Sequence, residues 1–299
     1  MPNKIKIVFL GTSDAIPSAE RNHTSILLEY KNENILVDCG EGTQRQFRRA
    51  GLNPNKITRL LITHWHGDHI LGIPGLLQTL SFSGYNKTLF IYGPRGTKEF
   101  MRKMLETFVF QDKLNLKVEE VESKFFETED FYLKAEKMNH GVPCNAYTFV
   151  KKETIRIDKK KLAKAKIQGP ILKKLKEGKD IVYNGKKYKA KDLTYQEEGK
   201  KVSFVFDTSF NEKIIPFVQN SDLLICESTF GDDMGDKAKE YKHLTSKQTG
   251  EIAKKSKSKK LILTHISQRY GKNQKVILDV AKKIFKNSVL VNDLDQFEI

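Results

Sequence analysis

The sequence predicts an α/β fold that carries an inserted lysine-rich module. Short apolar runs typical of β-strands alternate with segments that have the 3.6-residue apolar period of helices. Several of the apolar runs end at a histidine or an aspartate, as buried strands do when they present side chains at the carboxyl edge of an open sheet. Positive charge is concentrated in one stretch of the chain. Together these features favour a strand-rich core interrupted by a separate basic segment.

Predicted strands and helices follow one another along most of the chain. In chain order, the β-prone runs are 5–9, 25–30, 34–38, 59–63, 89–92, 131–138, 144–150, 201–206, 223–226, 260–263 and 288–291. Helical patterns cover 44–50, 96–107, 246–255 and 274–285. Gly51 closes the first helical pattern, where glycine is the usual stop residue. The core is therefore predicted to comprise residues 1–150 and 202–299.

Residues 151–201 break this alternation. They hold 18 Lys and Arg against 7 Asp and Glu, so they contribute +11 to the formal net charge of +16. Two short helical runs, 162–167 and 171–175, are separated by a Gly-Pro pair, and Asn184-Gly185 between short β-prone runs is a hairpin signal. The stretch is predicted to be a module outside the main sheet. It is either a solvated insertion or a binding surface for a polyanion. Of the polyanions, nucleic acid is the preferred candidate and an anionic membrane surface is the next.

Composition excludes several classes of protein. No run approaches the ~18–20 apolar residues that a membrane span requires. The three cysteines, Cys39, Cys144 and Cys226, form no Cys-x-x-Cys pair. A disulfide framework and a thiolate zinc site are therefore disfavoured. The chain is predicted to be soluble and cytoplasmic, with no membrane partner.

The strongest chemical signal is the string His64-Trp65-His66-Gly67-Asp68-His69, which follows the strand predicted at 59–63. Imidazoles with a carboxylate are the ligands that suit zinc and related divalent ions. His64 and His66 are two residues apart at a strand end and can point to one side. Asp68 and His69 begin the next element and can face a second position. Four ligands this close are too many for one ion, so the string predicts two.

Three more potential ligands, His140, Asp207 and His265, each come just after a predicted strand. Because functional groups collect at the carboxyl edge of an open α/β sheet, these residues are expected to join the histidine string. Two divalent ions lower the pKa of a shared water and neutralise charge on a phosphate or carbonyl oxygen. The pattern therefore predicts a dinuclear hydrolytic site.

These residues resemble the metallo-β-lactamase superfamily and, within it, the ribonuclease Z family, across the whole chain outside the insertion. The closer likeness depends on five further segments: Asp38-Cys39-Gly40-Glu41-Gly42-Thr43-Gln44-Arg45-Gln46, Glu227-Ser228-Thr229-Phe230, His243-Leu244-Thr245-Ser246, Leu263-Thr264-His265-Ile266-Ser267-Gln268-Arg269-Tyr270, and Ile167-Gln168-Gly169-Pro170 followed by Leu175-Lys176-Glu177-Gly178. The resemblance implies an αββα sandwich in which 151–201 is a tRNA-binding arm.

The resemblance also implies residue roles. One zinc ion would be held by His64, His66 and His140, and a second by Asp68, His69 and His265, with Asp207 bridging them. Manganese is the alternative metal. Asp68 would also accept a proton from the attacking water. The arm residues expected to contact substrate are Gly169, Pro170, Lys173, Lys174, Lys176 and Lys179.

His243 and Glu227 complete the catalytic residues that the resemblance implies. His243, oriented by Glu227, would protonate the leaving ribose oxygen or hold the scissile phosphate, because a neighbouring carboxylate can keep an imidazole protonated near neutral pH. The alternative is a surface histidine in a polar stretch.

The implied function is an endoribonuclease that removes the 3′ trailer from precursor tRNA, leaving a 3′-hydroxyl on the tRNA and a 5′-phosphate on the trailer. A homodimer is implied as well. The alternatives are a hydrolase of small phosphodiesters or thioesters, a non-catalytic RNA-binding protein and a flavin-linked diiron oxidoreductase. The basic insertion disfavours a hydrolase of small substrates, because such a substrate has no use for the extra charge. The complete set of ligands disfavours a non-catalytic RNA-binding protein. The histidine-rich ligand set disfavours a diiron oxidoreductase, which would have more carboxylates.

Overall fold

Two seven-stranded sheets form the main part of the protein. The computed structural model describes residues 4–109, 114–271 and 273–299, so 1–3, 110–113 and 272 of the predicted core segments lie outside the described residues. The strands are β1 (Lys6–Gly11), β2 (Ser25–Tyr30), β3 (Glu33–Val37), β4 (Arg59–Leu61), β5 (Thr88–Gly93), β6 (Asn115–Glu120), β7 (Ser123–Glu127), β8 (Phe131–Met138), β9 (Cys144–Lys151), β10 (Thr154–Ile157), β11 (Ile181–Tyr183), β12 (Lys186–Tyr188), β13 (Thr194–Glu197), β14 (Lys200–Val205), β15 (Leu223–Glu227), β16 (Leu261–Thr264), β17 (Ser288–Leu290) and β18 (Gln296–Glu298).

Short helices connect many of these strands. They are α1 (Thr43–Arg49), α2 (Gly67–Ile70), α3 (Ile73–Phe82), α4 (Thr97–Thr107), α5 (Lys159–Lys164), α6 (Leu172–Lys176), α7 (Ala190–Leu193), α8 (Ile214–Val218), α9 (Gly235–Tyr241), α10 (Ser246–Lys255) and α11 (Lys275–Ile284), with 3-10 turns at Pro54–Lys56, Asp232–Met234 and Gln268–Tyr270. Within the described ranges, none of the helices has both the length and the apolar character needed to cross a bilayer.

The sheet topology brings strand ends together at the site. The strand order is β18-β1-β2-β3-β4-β5-β6 in the first sheet and β17-β16-β15-β14-β9-β8-β7 in the second. Neighbours from β3 to β6 are parallel, and so are neighbours from β14 to β17. Because parallel strands point the same way, the residues that follow them emerge at one edge of each sheet.

Helices cover one face of each sheet. Leu10 and Leu36 of the first sheet belong to a buried apolar cluster with Leu76 of α3. Val205 of the second sheet belongs to another, with Ile252 of α10. Burial of such side chains is the main favourable term in folding.

The other faces of the two sheets pack against each other. The rings of Tyr30 in β2 and Phe149 in β9 meet edge to face with their centroids 5.4 Å apart. The Tyr147 hydroxyl of β9 donates a hydrogen bond of 2.7 Å to the backbone oxygen of Ile62, which follows β4. The resulting order of layers is helix, sheet, sheet, helix.

The described chain divides into two compact units. The first comprises Met1–Phe125, Leu133–Phe149 and Lys201–Ile299, and the second Phe126–Tyr132 and Val150–Lys200. Within the second unit, β10 pairs with β13 and β11 with β12. This unit has its own small core of Ile167, Leu175, Ile181, Ala190 and Leu193. The basic module is therefore organised around apolar contacts and is more than a solvated charge run.

Several elements differ from the sequence-based prediction for identifiable reasons. In α5 the helix begins at Lys159, earlier than predicted, because the carboxylate of Asp158 accepts the backbone N–H groups of Lys160 and Lys161. The sequence pattern does not predict α3, where Pro74 lies in the first turn. Proline is tolerated there because that turn has no intrahelical partner for its N–H. β6 and β7 were also not predicted; they are edge strands rich in charged residues, so they lack a clear apolar alternation.

Candidate metal centre

Two of the predicted ligands, together with Asp38, lie where the chain turns sharply at the end of a strand. Asp38 follows β3, Asp207 comes two residues after β14, and His265 follows β16. All three have positive φ angles, of 57°, 26° and 57° respectively. Residues other than glycine rarely adopt this left-handed conformation, and where they do it often marks a functional site. Each turn ends the strand and leaves a polar side chain buried at its carboxyl end.

One group of possible ligands comprises His64, His66, His140 and Asp207, whose ligand atoms all lie within 4.8 Å of one another. Nε2 of His64 is 3.0 Å from Nδ1 of His66, and the latter is 3.2 Å from Nε2 of His140. Unprotonated ring nitrogens carry lone pairs that repel at this separation unless a proton or a metal ion lies between them. This arrangement of donors fits a divalent cation.

A second group comprises Asp68, His69, Asp207 and His265, again within 4.8 Å. Nε2 of His69 lies 3.1 Å from Oδ2 of Asp68 and 3.5 Å from Oδ1 of Asp207. Nε2 of His265 lies 3.4 Å and 3.3 Å from the same two carboxylate oxygens. Asp207 belongs to both groups, so its carboxylate is the one that can contact two neighbouring ions.

Unsatisfied buried atoms support the same conclusion. Nε2 of His69 and Oδ1 of Asp207 have no hydrogen-bond partner among the described residues. Burial lowers the pKa of His69, but the carboxylates of Asp68, Asp207 and Asp38 outweigh it and raise that pKa well above its usual value. The pKa of His265 is raised in the same way, against burial, by Asp207 and Asp68. The site therefore attracts positive charge, and these residues fit metal ions.

Asp38 contacts the ring nitrogen of His69 that faces away from the site, a role that the sequence pattern does not predict. Its Oδ2 lies 2.7 Å from Nδ1 of His69 and accepts the Thr63 hydroxyl at 2.8 Å, while its Oδ1 accepts the Thr63 N–H at 2.7 Å. A carboxylate on Nδ1 fixes the ring so that Nε2 points into the site. The sequence signal was an aspartate at the end of a predicted strand, the same signal that identified Asp207.

We expect Asp38→Ala to weaken the affinity for divalent metal by about 10- to 100-fold, because His69 loses the group that fixes its ring. Titration of metal-free protein with zinc against a competing chelating dye measures the change. Asp38→Asn keeps an acceptor oxygen and tolerates positive φ, so it should lose less. The exposed Asp279→Ala serves as the matched control. Equal affinities for Asp38→Ala and the control would contradict this role.

The partly buried His243 and the buried Glu227 form a pair at the edge of the two groups of possible metal ligands. Nδ1 of His243 lies 3.0 Å from Oε2 of Glu227, and its Nε2 lies 3.9 Å from Oδ2 of Asp207. Glu227 also accepts the Thr208 N–H at 2.8 Å and the Thr229 hydroxyl at 2.6 Å. Burial lowers the pKa of His243, but Glu227 and Asp207 outweigh it and raise that pKa to about 9. The charge of Glu227 therefore favours the protonated form of His243.

Thr229 connects the His243–Glu227 pair to the possible metal ligand His265. The sequence pattern does not predict this role. Its hydroxyl oxygen lies 2.8 Å from Nδ1 of His265 and donates its proton to Glu227. Nδ1 of His265 is thus occupied by a hydrogen bond, which leaves Nε2 for the site.

Several of these groups line one pocket of about 330 Å³. The site residues that line it are His66, Asp68, His140, Asp207, His243 and His265. Ile16, Phe230, Tyr241 and Arg269 are among its other walls. A substrate that enters this pocket meets both the possible metal ligands and the imidazole of His243.

The chain is similar in sequence to a curated protein over nearly its full length. It is 39% identical to "Ribonuclease Z" of Nanoarchaeum equitans, in an alignment that covers 98% of this chain and 92% of the relative. Identity at this level across both chains shows common family membership. The chain belongs to the ribonuclease Z family.

Solved structures agree with this assignment. Human tRNase Z, short form, aligns with this ribonuclease Z family member at a TM-score of 0.69 and 26% identity, over 98% of each chain. The metallo-beta-lactamase fold protein YhfI from Bacillus subtilis aligns at a TM-score of 0.72 and 22% identity, over 99% of this chain and 100% of that one. The predicted metallo-β-lactamase fold and the predicted family are both confirmed.

A family model also matches the first half of this ribonuclease Z family member. The model described as "Anti-Pycsar protein Apyc1" covers residues 5–163, so this part of the chain belongs to that domain family. The match includes the string from His64 to His69 and His140, whereas Asp207 and His265 lie beyond it.

The predicted substrate-contacting residues of this ribonuclease Z family member lie in its second unit. Gly169, Pro170, Lys173, Lys174, Lys176 and Lys179 are all exposed. Gly169 has a φ of +92°, a conformation that favours glycine, and three of the lysines lie on α6. On α6 the buried Leu175 anchors the helix in the small core of the unit. The charged ends therefore face water while the helix itself is fixed.

Proposed function

We propose that the protein is a metal-dependent endoribonuclease that cleaves the 3′ trailer from precursor tRNA. The tRNA product would carry a 3′-hydroxyl and the trailer a 5′-phosphate. The observation that carries the proposal is the convergence of seven histidines and aspartates into two groups that share Asp207, in a chain of the ribonuclease Z family. The cytoplasm is the proposed compartment because the substrate is precursor tRNA.

Two zinc ions are the proposed cofactors, with manganese as the alternative. One ion would be held by His64, His66 and His140. The other would be held by Asp68, His69 and His265, and Asp207 would contact both ions. When bound, the ions would supply an activated water and neutralise charge on the phosphate. The histidine-rich donor set without thiolates favours zinc in a catalytic role over a structural zinc site.

The protein's own groups would move the protons. Asp68 would accept a proton from the attacking water, since its carboxylate lies in the pocket beside the other possible metal ligands. His243 would donate a proton to the leaving 3′ oxygen of the tRNA. Glu227 would keep His243 protonated and oriented through Nδ1, so that Nε2 faces the pocket.

We expect Glu227→Gln to move the alkaline limb of the pH–rate profile to lower pH. The protonated form of His243 is the active one, and its pKa of about 9 is raised by the charge of Glu227. Removing that charge lowers the pKa, so activity is lost at a lower pH as pH rises. Profiles of kcat/KM from pH 6 to 10 on precursor tRNA measure the shift. Glu251→Gln on α10 changes a partly exposed carboxylate outside the pocket and should leave the alkaline limb in place. An unchanged limb in Glu227→Gln would exclude this role.

The lysine-rich unit would bind tRNA as an arm. It offers exposed lysines, and phosphate contacts position a nucleic acid without reading its sequence. An A-form helix presents phosphates and 2′-hydroxyls more readily than base edges, which suits such a surface. We further propose a homodimer in which the arm of one subunit serves the active site of the other.

The deciding experiment incubates the purified protein with a 3′-extended precursor tRNA, with and without a chelator. We expect one cleavage at the end of the tRNA body, a 3′-hydroxyl on the product, and loss of activity with the chelator that added zinc restores. Hydrolysis of small phosphodiesters or thioesters without cleavage of precursor tRNA would favour the alternative function. The +11 charge of residues 151–201 argues against that alternative because a small substrate gains nothing from it.

A further inference from the structure

Two large apolar side chains are left open to water in the pocket that holds the reactive groups. Tyr241 is 54% exposed and Ile16 is 53% exposed, and both line the pocket together with Asp68, His243 and Arg269. Most side chains of this size in the molecule are buried. An exposed aromatic ring beside charged groups is the composition of a surface that binds a nucleotide base.

The backbone around Tyr241 is fixed on both sides. Tyr241 is the last residue of α9, and the helix ends because Lys242 adopts a left-handed conformation with φ of 57°. The next residue, His243, returns its N–H to the backbone oxygen of Ala238 at 2.8 Å. The backbone oxygen of Lys242 lies 3.1 Å from Nδ1 of His140. Tyr241 is thus held in a segment that contains His243 and contacts His140.

The ring of Tyr241 is also supported from behind. It is nearly parallel to the ring of Phe230, at an angle of 29° and a centroid distance of 6.4 Å. The Phe230 ring in turn meets His243 edge to face at 5.9 Å. One aromatic stack therefore extends from the proposed proton donor to the exposed ring. A rigid platform costs little conformational entropy when a base stacks on it.

Ile16 lies in a loop that is stabilised by hydrogen bonds between its own residues. The Ser13 hydroxyl donates to the backbone oxygen of Ile16 at 3.0 Å, and the Ile16 N–H donates to the Asp14 carboxylate at 3.3 Å. Its aliphatic side chain is thus a second apolar wall of the same pocket.

We propose that Tyr241 is the stacking platform for the base of the nucleotide on the 5′ side of the scissile phosphate. This inference rests on the proposed function, in which His243 protonates the 3′ oxygen of that nucleotide. Because Tyr241 is two residues from His243 and shares its pocket, the base attached to the same ribose is the one within reach. Stacking accepts any of the four bases, so the platform would position the nucleotide without selecting its identity.

The test compares Tyr241→Ala and Tyr241→Phe on two precursor tRNAs, one intact and one abasic at the nucleotide 5′ of the cleavage point. On intact RNA, Tyr241→Ala should lower kcat/KM by about 10- to 100-fold, as the loss of one base–aromatic stack predicts. Tyr241→Phe keeps the ring and should stay within about twofold. On abasic RNA, wild type should lose the same factor and Tyr241→Ala should lose little more.

Controls separate this inference from the proposed function. Phe82→Ala removes another exposed ring, at the end of α3 and outside the pocket, and should leave both rates unchanged. The proposal would be overturned if Tyr241→Ala lowered kcat/KM by the same factor on intact and on abasic RNA. It would also be overturned if the effect of Tyr241→Ala depended on the base of the nucleotide 3′ of the cleavage point instead. The abasic substrate tests wild-type protein too, so a full rate there overturns it even if Tyr241→Ala misfolds. Wild-type protein that does not cleave intact precursor tRNA would instead overturn the proposed function.

Discussion

Replacement of Asp207 by alanine is expected to abolish RNA cleavage and to release bound metal. Its carboxylate lies within 3.9 Å of ring nitrogens of His64, His140, His69, His265 and His243. It is buried and belongs to both groups of possible ligands. Without it, each group loses its shared negative charge while the imidazoles remain packed together. A loss of at least about a thousandfold in kcat follows, because metal ions contribute several kcal/mol to transition-state stabilisation.

Elemental analysis and single-turnover cleavage of precursor tRNA measure these effects. Asp232→Ala is the matched control, since Asp232 pairs with Lys247 at the surface and its side chain is about half exposed. The control should retain two zinc ions per chain and full activity. An Asp207→Ala protein that kept both ions and cleaved within about tenfold of wild type would rule out the shared-ligand role.

Deletion of the arm is expected to cripple cleavage of precursor tRNA while sparing hydrolysis of bis(p-nitrophenyl) phosphate. The small diester would need only the metal centre, whereas a folded tRNA would also need the phosphate contacts that we propose for the arm. The deletion removes residues 152–199, because β9 ends at Lys151, β14 begins at Lys200 and these two strands are neighbours in the sheet. Phe126–Tyr132 of the second unit stay in the shortened chain. A short Gly-Ser turn can therefore join the two strands.

Binding assays sharpen this prediction. If the arm makes about five phosphate contacts, the log–log dependence of tRNA affinity on salt should have a slope near −4. A full-length chain with Lys173, Lys174, Lys176 and Lys179 changed to glutamine should bind with a shallower slope and keep the arm core intact. The matched control changes four exposed lysines of the first unit to glutamine, namely Lys254, Lys255, Lys282 and Lys283. Equal loss of both activities on arm deletion, or a flat salt response of wild type, would contradict an electrostatic arm.

Much of the fold could be predicted because its local signals agree with its tertiary structure. β2, β8 and α10 have the predicted bounds, and the Asn184-Gly185 hairpin forms with both residues at positive φ. Buried strands have apolar runs, and α10 begins with a capping box at Thr245, so sequence and structure require the same residues there. The edge strands β6 and β7 could not be predicted because their neighbours, not their own composition, make them strands.

By itself the sequence determined the chemical kind of the site, because His64, His66, Asp68 and His69 are adjacent in the chain and short-range geometry already brings them together. It also determined the fold class, through apolar runs that have to be buried. Only the tertiary structure decided that Asp38 lies behind His69, that Thr229 links Glu227 to His265, and that Tyr241 stays exposed at the pocket. Those contacts join residues from distant segments, and their distances depend on how two sheets pack, which no local pattern of residues encodes.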